Sequence, residues 1–226
     1  MEGMKKLIML IVSLFVIPIS FAHWWEMSHY YDYKPHHSYY ENYLTHYSFC
    51  GHNNFAHWWR MNYYNYNKNY NKVYHYSNQL SEKEKKELLL MREEEKLARD
   101  VYLTLYNKWG LPIFKNIARS EQNHMDAVKV LIEKYGLEDP VEETNDEIGV
   151  FKNPELQQLY YQLVNKGSQS IEDALEVGKL IEEKDIEDLE KAISKTNHYD
   201  IKIIYNYLMR GSYHHLRAFS YWLQFY

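Results

Sequence analysis

From residue 81 onward the apolar positions recur at alternating steps of three and four, the spacing of helices that bury one stripe. Start and stop marks bound each stretch. Ser81-Glu82-Lys83-Glu84 has the form of a capping box. The pattern continues from there to about Trp109, just before Gly110. A second helix opens near Pro112, a residue suited to the first helical turn, and closes at Tyr135-Gly136. Residues 137–152 break the period and read as a loop. Asn153-Pro154 starts a short helix that stops at Gly167. Ser170-Ile171-Glu172-Asp173 starts another that runs to about Ser194, and a last helix extends from about Asn197 to residue 226. Strand patterns are nearly absent. The reading is an all-α domain over 80–226, with four long helices and one short one.

The stripes themselves carry the chemistry. In the first long helix the stripe reads Met91, Glu95, Ala98, Tyr102, Leu105, Trp109. In the second it reads Phe114, Ile117, Glu121, His124, Val128, Leu131, Tyr135. The third gives Ile171, Leu175, Gly178, Glu182, Asp185, Leu189, Ala192, and the last gives Ile201, Tyr205, Leu208, Ser212, His215, Phe219, Trp222. Each is apolar at both ends and polar near the middle. A buried carboxylate needs a partner, a metal or a proton. Polar groups at matching depth on four helices therefore point to convergence, and converging acids repel one another unless a cation sits among them. Unrelated buried ion pairs are the alternative. Glu121-x-x-His124 places a carboxylate and an imidazole on one helical face, a spacing used by di-iron and di-manganese carboxylate proteins.

Other polar residues on these helices have plainer readings. Tyr102 and Tyr205 read as core packing rather than as partners of a metal. Glu93 and Glu94 face solvent or a neighbouring helix. Glu176 and Glu183 form a solvated acidic face, while His198 and His214 are surface or capping residues. Arg99 and Arg217 either orient ligands or pair with surface acids.

Composition changes the picture mainly before residue 80. Lys5 and Lys6, the apolar run Leu7–Ile19 and Ser20-Phe21-Ala22 have the form of a secretory leader over 1–22, with an uncleaved anchor as the alternative. Either places the rest of the chain outside the cytoplasm, secreted or held at the membrane. Residues 23–79 are a low-complexity tract rich in Tyr, Asn, His and Trp, holding eight of the twelve histidines. FAHWW occurs twice, at 21–25 and 55–59, each followed by a methionine and a tyrosine pair. Two copies are too few to stack as a solenoid. Such a tract suits cell-surface association or self-association into a homo-oligomer; loose metal scavenging by its imidazoles is the alternative. Net charge is −5, without the clustered Lys and Arg that nucleic acid calls for. A single cysteine, Cys50, excludes an intramolecular disulfide and any rubredoxin-type cysteine set.

Glu95-Lys96-Leu97-Ala98-Arg99, with Tyr102 seven places after the Glu, resembles the first-helix ligand motif of rubrerythrins in the ferritin-like superfamily. Ser120-Glu121-Gln122-Asn123-His124 resembles their second-helix motif. MREEEKLARDVY (91–102), SEQNHM (120–125), LEVGKLIEEKDIEDL (175–189) and HLRAF (215–219) are similar to an uncharacterised ferritin-like family, the domain of unknown function numbered 2202. The resemblance spans 80–226. It implies a four-helix bundle with a long crossover that carries the short helix, and metal ligands at Glu95, Glu121, His124, Glu182 and His215. The last helix departs from the pattern: Ser212 stands where a Glu should precede His215. Asp185, one turn beyond Glu182, is the candidate for the missing acid.

The resemblance further implies a non-haem centre of two iron ions, with manganese or zinc as alternatives. Dioxygen or peroxide would be the small-molecule substrate, and an external electron donor is required. A non-catalytic surface or matrix protein, with the helices as a stalk for the aromatic tract, is the alternative reading.

Overall fold

The computed structural model describes residues 79–226, and all secondary structure among them is helical. The leader assigned to 1–22 and the aromatic tract assigned to 23–79, apart from Gln79, lie outside the described residues. The helices are α1 (Glu82–Trp109), α2 (Pro112–Lys134), α3 (Pro140–Glu143), α4 (Pro154–Gly167), α5 (Ile171–Lys195) and α6 (Tyr199–Trp222), followed by a 3-10 turn at Leu223–Phe225. No described helix is long and apolar enough to cross a membrane.

The boundary chemistry acts as its residue types dictate. Ser81 Oγ accepts from the Glu84 amide at 3.2 Å, and Glu84 Oε2 accepts from the Ser81 amide at 2.9 Å, which satisfies two amides at the start of α1. α1 stops at Gly110, whose φ of 69° carries no Cβ penalty. The Asn153 side chain caps α4 and that of Ser170 caps α5. Two boundaries differ from the sequence reading. Residues 137–152 are not all loop: Asp139 caps the single turn α3, with Pro140 at its first position. The left-handed Asn145 and Asp146 (φ 53° and 51°) then close that segment. α6 also ends before the terminus, tightening into the 3-10 turn.

Side-chain contacts fix the directions of the long helices. Glu95 meets His124 and Tyr102 meets Phe114, so α1 and α2 are antiparallel. Ser212 meets Asp185 and Phe219 meets Gly178, so α5 and α6 are antiparallel too. Tyr102 reaches Glu182 while Glu84 reaches Thr196, and Glu121 reaches His215 while Lys134 reaches Asp200. Thus α1 opposes α5, and α2 opposes α6. It follows that α2 and α5 run the same way, and the chain between them must travel back along their length. Residues 135–170, with α3 and α4, make that crossover.

One apolar layer, including Leu88, Met91, Val128, Leu131, Leu189, Ile204 and Leu208, fills one half of the space between the long helices. Tyr102, Phe114 and Phe219 pack as a ring cluster in the other half, with centroids 5.3–6.3 Å apart. Trp109, Tyr135, Ile171 and Trp222, at the ends of the predicted stripes, are only partly buried, because helix ends leave the interior.

The crossover is tied to a second face of α1. Arg92 pairs with Asp139 at 3.0 Å. Lys96 pairs with Asp100 and donates to the Glu147 carbonyl at 2.7 Å, while Asp100 accepts from the Gly149 amide at 2.9 Å. Arg99 donates twice to Asp146, at 2.6 and 2.9 Å. Lys96 and Asp100 are both wholly buried. Glu93 is buried rather than solvated and accepts from the Asn153 amide at 3.0 Å, so the neighbouring element it faces is the start of α4.

Candidate metal centre

Each long helix brings its polar stripe positions to one level between the two apolar layers. Glu95 comes from α1, Glu121 and His124 from α2, Glu182 from α5 and His215 from α6, and all five are buried. They form two clusters, Glu95–Glu121–His124 and Glu121–Glu182–His215, within each of which one ligand atom per residue lies within 4.8 Å of the others. Glu121 belongs to both. In the first cluster His124 Nδ1 is 2.8 Å from Glu121 Oε2 and 3.1 Å from Glu95 Oε2. In the second, His215 Nδ1 is 2.8 Å from Glu121 Oε1 and 3.4 Å from Glu182 Oε2.

The spacing and alignment of these atoms fit a metal. Neighbouring ligands on one cation sit at such separations, since bonds from nitrogen and oxygen run about 2.0–2.2 Å. Glu95 Oε1, Glu121 Oε1 and His215 Nδ1 are buried without a hydrogen-bond partner. For the last two this holds although they approach to 2.8 Å, because the pair lacks hydrogen-bond alignment. Buried polar atoms left in this state are rare and call for an explanation. Carboxylate oxygen and imidazole nitrogen together suit iron, manganese and zinc.

Shared protons offset part of the repulsion among these buried acids. Burial works to raise the Glu121 carboxyl, but His215 and His124 overcome it and hold it below the ordinary carboxylate range. Burial opposes protonation of both imidazoles. Glu121 and Glu95 nevertheless carry His124 well above its usual value, and Glu121 and Glu182 push His215 up to about 10. Glu95 is raised to about 8 by burial, in spite of His124. Glu182 is raised by burial and by the Glu121 charge. A metal arriving here must displace protons.

Three neighbours shape the centre. Tyr102 is fully buried, and its hydroxyl donates to Glu182 Oε1 at 2.6 Å, so its packing role is joined by a direct hold on a candidate ligand. Burial and the charges of Glu182 and Glu121 raise its pKa well above 10, which keeps the donor protonated. Gly211 is a notch for His124: a Cβ there would lie 2.3 Å from Nε2 of that ring. Gly178 does the same for Phe219, whose ring would meet a Cβ at 2.4 Å.

Asp185 stands apart from both clusters. It is hydrogen-bonded to Ser212 Oγ, which also lies 3.0 Å from the Leu208 carbonyl. Burial of its carboxyl end, then the charges of Glu95 and Glu182, raise it well above its ordinary pKa. Glu94 is not simply solvated. Burial of its carboxyl end, then Asp188 and Asp185, raise it to about 8.

The remaining sequence candidates sit away from the centre. Arg99 binds Asp100, Asp146 and Gln122. Glu176 pairs with Lys166 and Glu183 with Lys179. His214 is exposed, and His198 occupies the cap position of α6 without a side-chain cap bond. Sequence reasoning passed over Gly211, whose only signal is a small residue one place before Ser212. It also missed Arg92, Lys96 and Asp100, whose signal is charges spaced four apart on one α1 flank, opposite in sign for Lys96 and Asp100.

Residues 84–224 match the uncharacterised protein domain DUF2202. The chain belongs to that family. An uncharacterised protein of Methanocaldococcus jannaschii is 64% identical over 140 residues, spanning 62% of this chain and 75% of its own length. A crystal structure of a hypothetical protein from Methanococcus jannaschii is similar at 60% identity with a TM-score of 0.64, covering 67% of this chain and 86% of the solved one. All five residues of the two clusters fall inside the family's span; the aromatic tract precedes it.

Proposed function

We propose that this chain is an extracytoplasmic, ferritin-like four-helix-bundle metalloprotein with a two-metal carboxylate–histidine centre, serving redox chemistry of dioxygen or peroxide. The observation that carries the reading is the pair of buried clusters sharing Glu121. The α2-to-α5 crossover and the common direction of those helices support the bundle assignment. Iron is the first expectation for the two ions, with manganese or zinc compatible with the same donors. Bound there, redox-active ions would supply electrons to the small oxidant, and an external donor would restore them.

The chain's own groups have definite tasks in this reading. Glu95 and His124 would hold one ion and Glu182 and His215 the other, with Glu121 common to both sets. Tyr102 occupies one oxygen of Glu182 through its hydroxyl and leaves Oε2 toward His215. The Tyr102–Phe114–Phe219 rings on one side and the aliphatic layer on the other exclude water, which strengthens each charge interaction inside.

The test is metal analysis of the full chain purified with and without air. About two irons per chain, with ferric absorption that bleaches on reduction, is the expected result. A preparation without metal, whose melting temperature does not respond to chelator or to added iron, manganese or zinc, defeats the reading and favours a stalk for the aromatic tract. Glu121→Gln should remove both ions.

A further inference from the structure

We propose that the two clusters are unequal: Glu95–Glu121–His124 takes the first divalent cation tightly, and Glu121–Glu182–His215 takes a second more weakly, the difference being set by Tyr102 and Ser212. This rests on the two-metal reading above and adds an order of loading to it.

The donors are not equivalent. Glu95 directs its charge into the first cluster without competition: Oε2 faces His124 at 3.1 Å, and Oε1 is buried with no hydrogen-bond partner. Glu182, the corresponding acid of the second cluster, commits Oε1 to the Tyr102 hydroxyl at 2.6 Å. A carboxylate oxygen that accepts a short hydrogen bond has less electron density to give a cation. The imidazole geometry agrees, since His124 Nδ1 lies within 3.1 Å of both its carboxylates while His215 Nδ1 is 3.4 Å from Glu182.

Helix α6 adds to the imbalance. One turn before His215 it offers Ser212, fully buried, whose hydroxyl is engaged with Asp185 and the Leu208 carbonyl. It contributes no charge, and Asp185 stays outside both clusters. Three carboxylates therefore face the cations. Their charge exceeds that of one dication and falls short of that of two. The first ion enters a site with surplus negative charge. The second enters one whose shared ligand is already engaged, and it meets the repulsion of the first in surroundings of low polarity.

The experiment is a titration of the metal-free full chain with Co2+, read by visible absorption and by equilibrium dialysis. Two phases are expected, separated by about tenfold or more in affinity, the scale of one hydrogen bond to a charged group. Glu182→Gln should abolish the weak phase and keep the tight one, and Glu95→Gln should abolish the tight phase. Tyr102→Phe should strengthen the weak phase severalfold by releasing Glu182 Oε1, and Ser212→Glu should narrow the gap further. Circular dichroism checks that each variant keeps its helix content.

Two ions bound with equal affinity, or loss of the tight phase in Glu182→Gln, overturns the order of loading while leaving a two-metal centre standing. Absence of Co2+ binding to the unaltered chain overturns both.

Discussion

Gly211 shows how much one missing side chain can decide. Its hydrogen in place of a methyl leaves room for Nε2 of His124, whose other nitrogen faces Glu95 and Glu121. A methyl 2.3 Å from that ring cannot be accommodated by the rigid α6 backbone, so the imidazole must turn. Gly211→Ala should therefore keep the helices but weaken metal retention about 10–100-fold, the usual cost of disturbing a group that orients a ligand. Dialysis against a graded chelator would measure it, and unchanged retention would contradict the role given to Gly211. Glu95, Glu121, His124, Glu182 and His215 stood out in the sequence because each interrupts an apolar stripe; Asp185 stood out in the same way, yet it lies outside both clusters. Gly211 did not stand out, because a glycine inside a helix carries no sign of which ring it admits. Tyr102 was half legible: its place on the stripe was evident, but the direction of its hydroxyl is a property of the partner helix α5.

At the scale of elements, α1 is the best-specified helix and also the one that hid most. Its capping box was readable from four letters, and Ser81→Ala should lower stability by about 1 kcal/mol, measured by urea unfolding. Lys96 and Asp100 have the four-residue spacing of an ordinary surface pair, yet both are wholly buried beneath the crossover. Their burial follows from a segment some fifty residues downstream, through the Glu147 carbonyl and the Gly149 amide, and no local pattern announces that. Lys96→Ala would leave Asp100 to Arg99 and the Gly149 amide and would uncover the Glu147 carbonyl, and should cost ~1–3 kcal/mol, visible as a lower denaturant midpoint. A loss within the range of surface substitutions would show that the pair is solvated in the working protein. The same tertiary cause explains α3. Asp139-Pro140 has the start signal that Asn153-Pro154 has, but without a following apolar stripe the length of the turn could not be read.

For the whole molecule, the protons held among the ligands set how stability varies with pH. Burial opposes the charge on His215, but Glu121 and Glu182 raise its pKa to about 10. A histidine raised on folding contributes its full stabilisation below the unfolded value, about 6.5, and loses it as pH climbs through the folded one. Glu95, raised by burial to about 8, acts in the same sense, because the folded chain holds that proton more firmly than the unfolded one. Glu121, held low, gives the opposite dependence only in acid. The chelated protein should therefore lose stability steadily between about pH 6.5 and pH 10. Saturation with Mn2+ or Zn2+ should flatten the curve and add ~2.7 kcal/mol at a concentration one hundred times the dissociation constant. A urea midpoint that stays level or rises over that range in chelator would refute the charge pattern described for the centre.

The overall helical class and the order of the long helices followed from periodicity, whereas the crossover's anchorage depended on contacts that only folding creates. That anchorage binds two duties to one rod. Along α1, Glu95 and Tyr102 are interspersed with Arg92, Lys96 and Arg99, so the flank that grips the crossover and the flank that faces the candidate centre interleave. Rolling or sliding the rod to suit either flank would misalign the other. A displacement of the connecting segment would therefore displace the carboxylate of Glu95 as well.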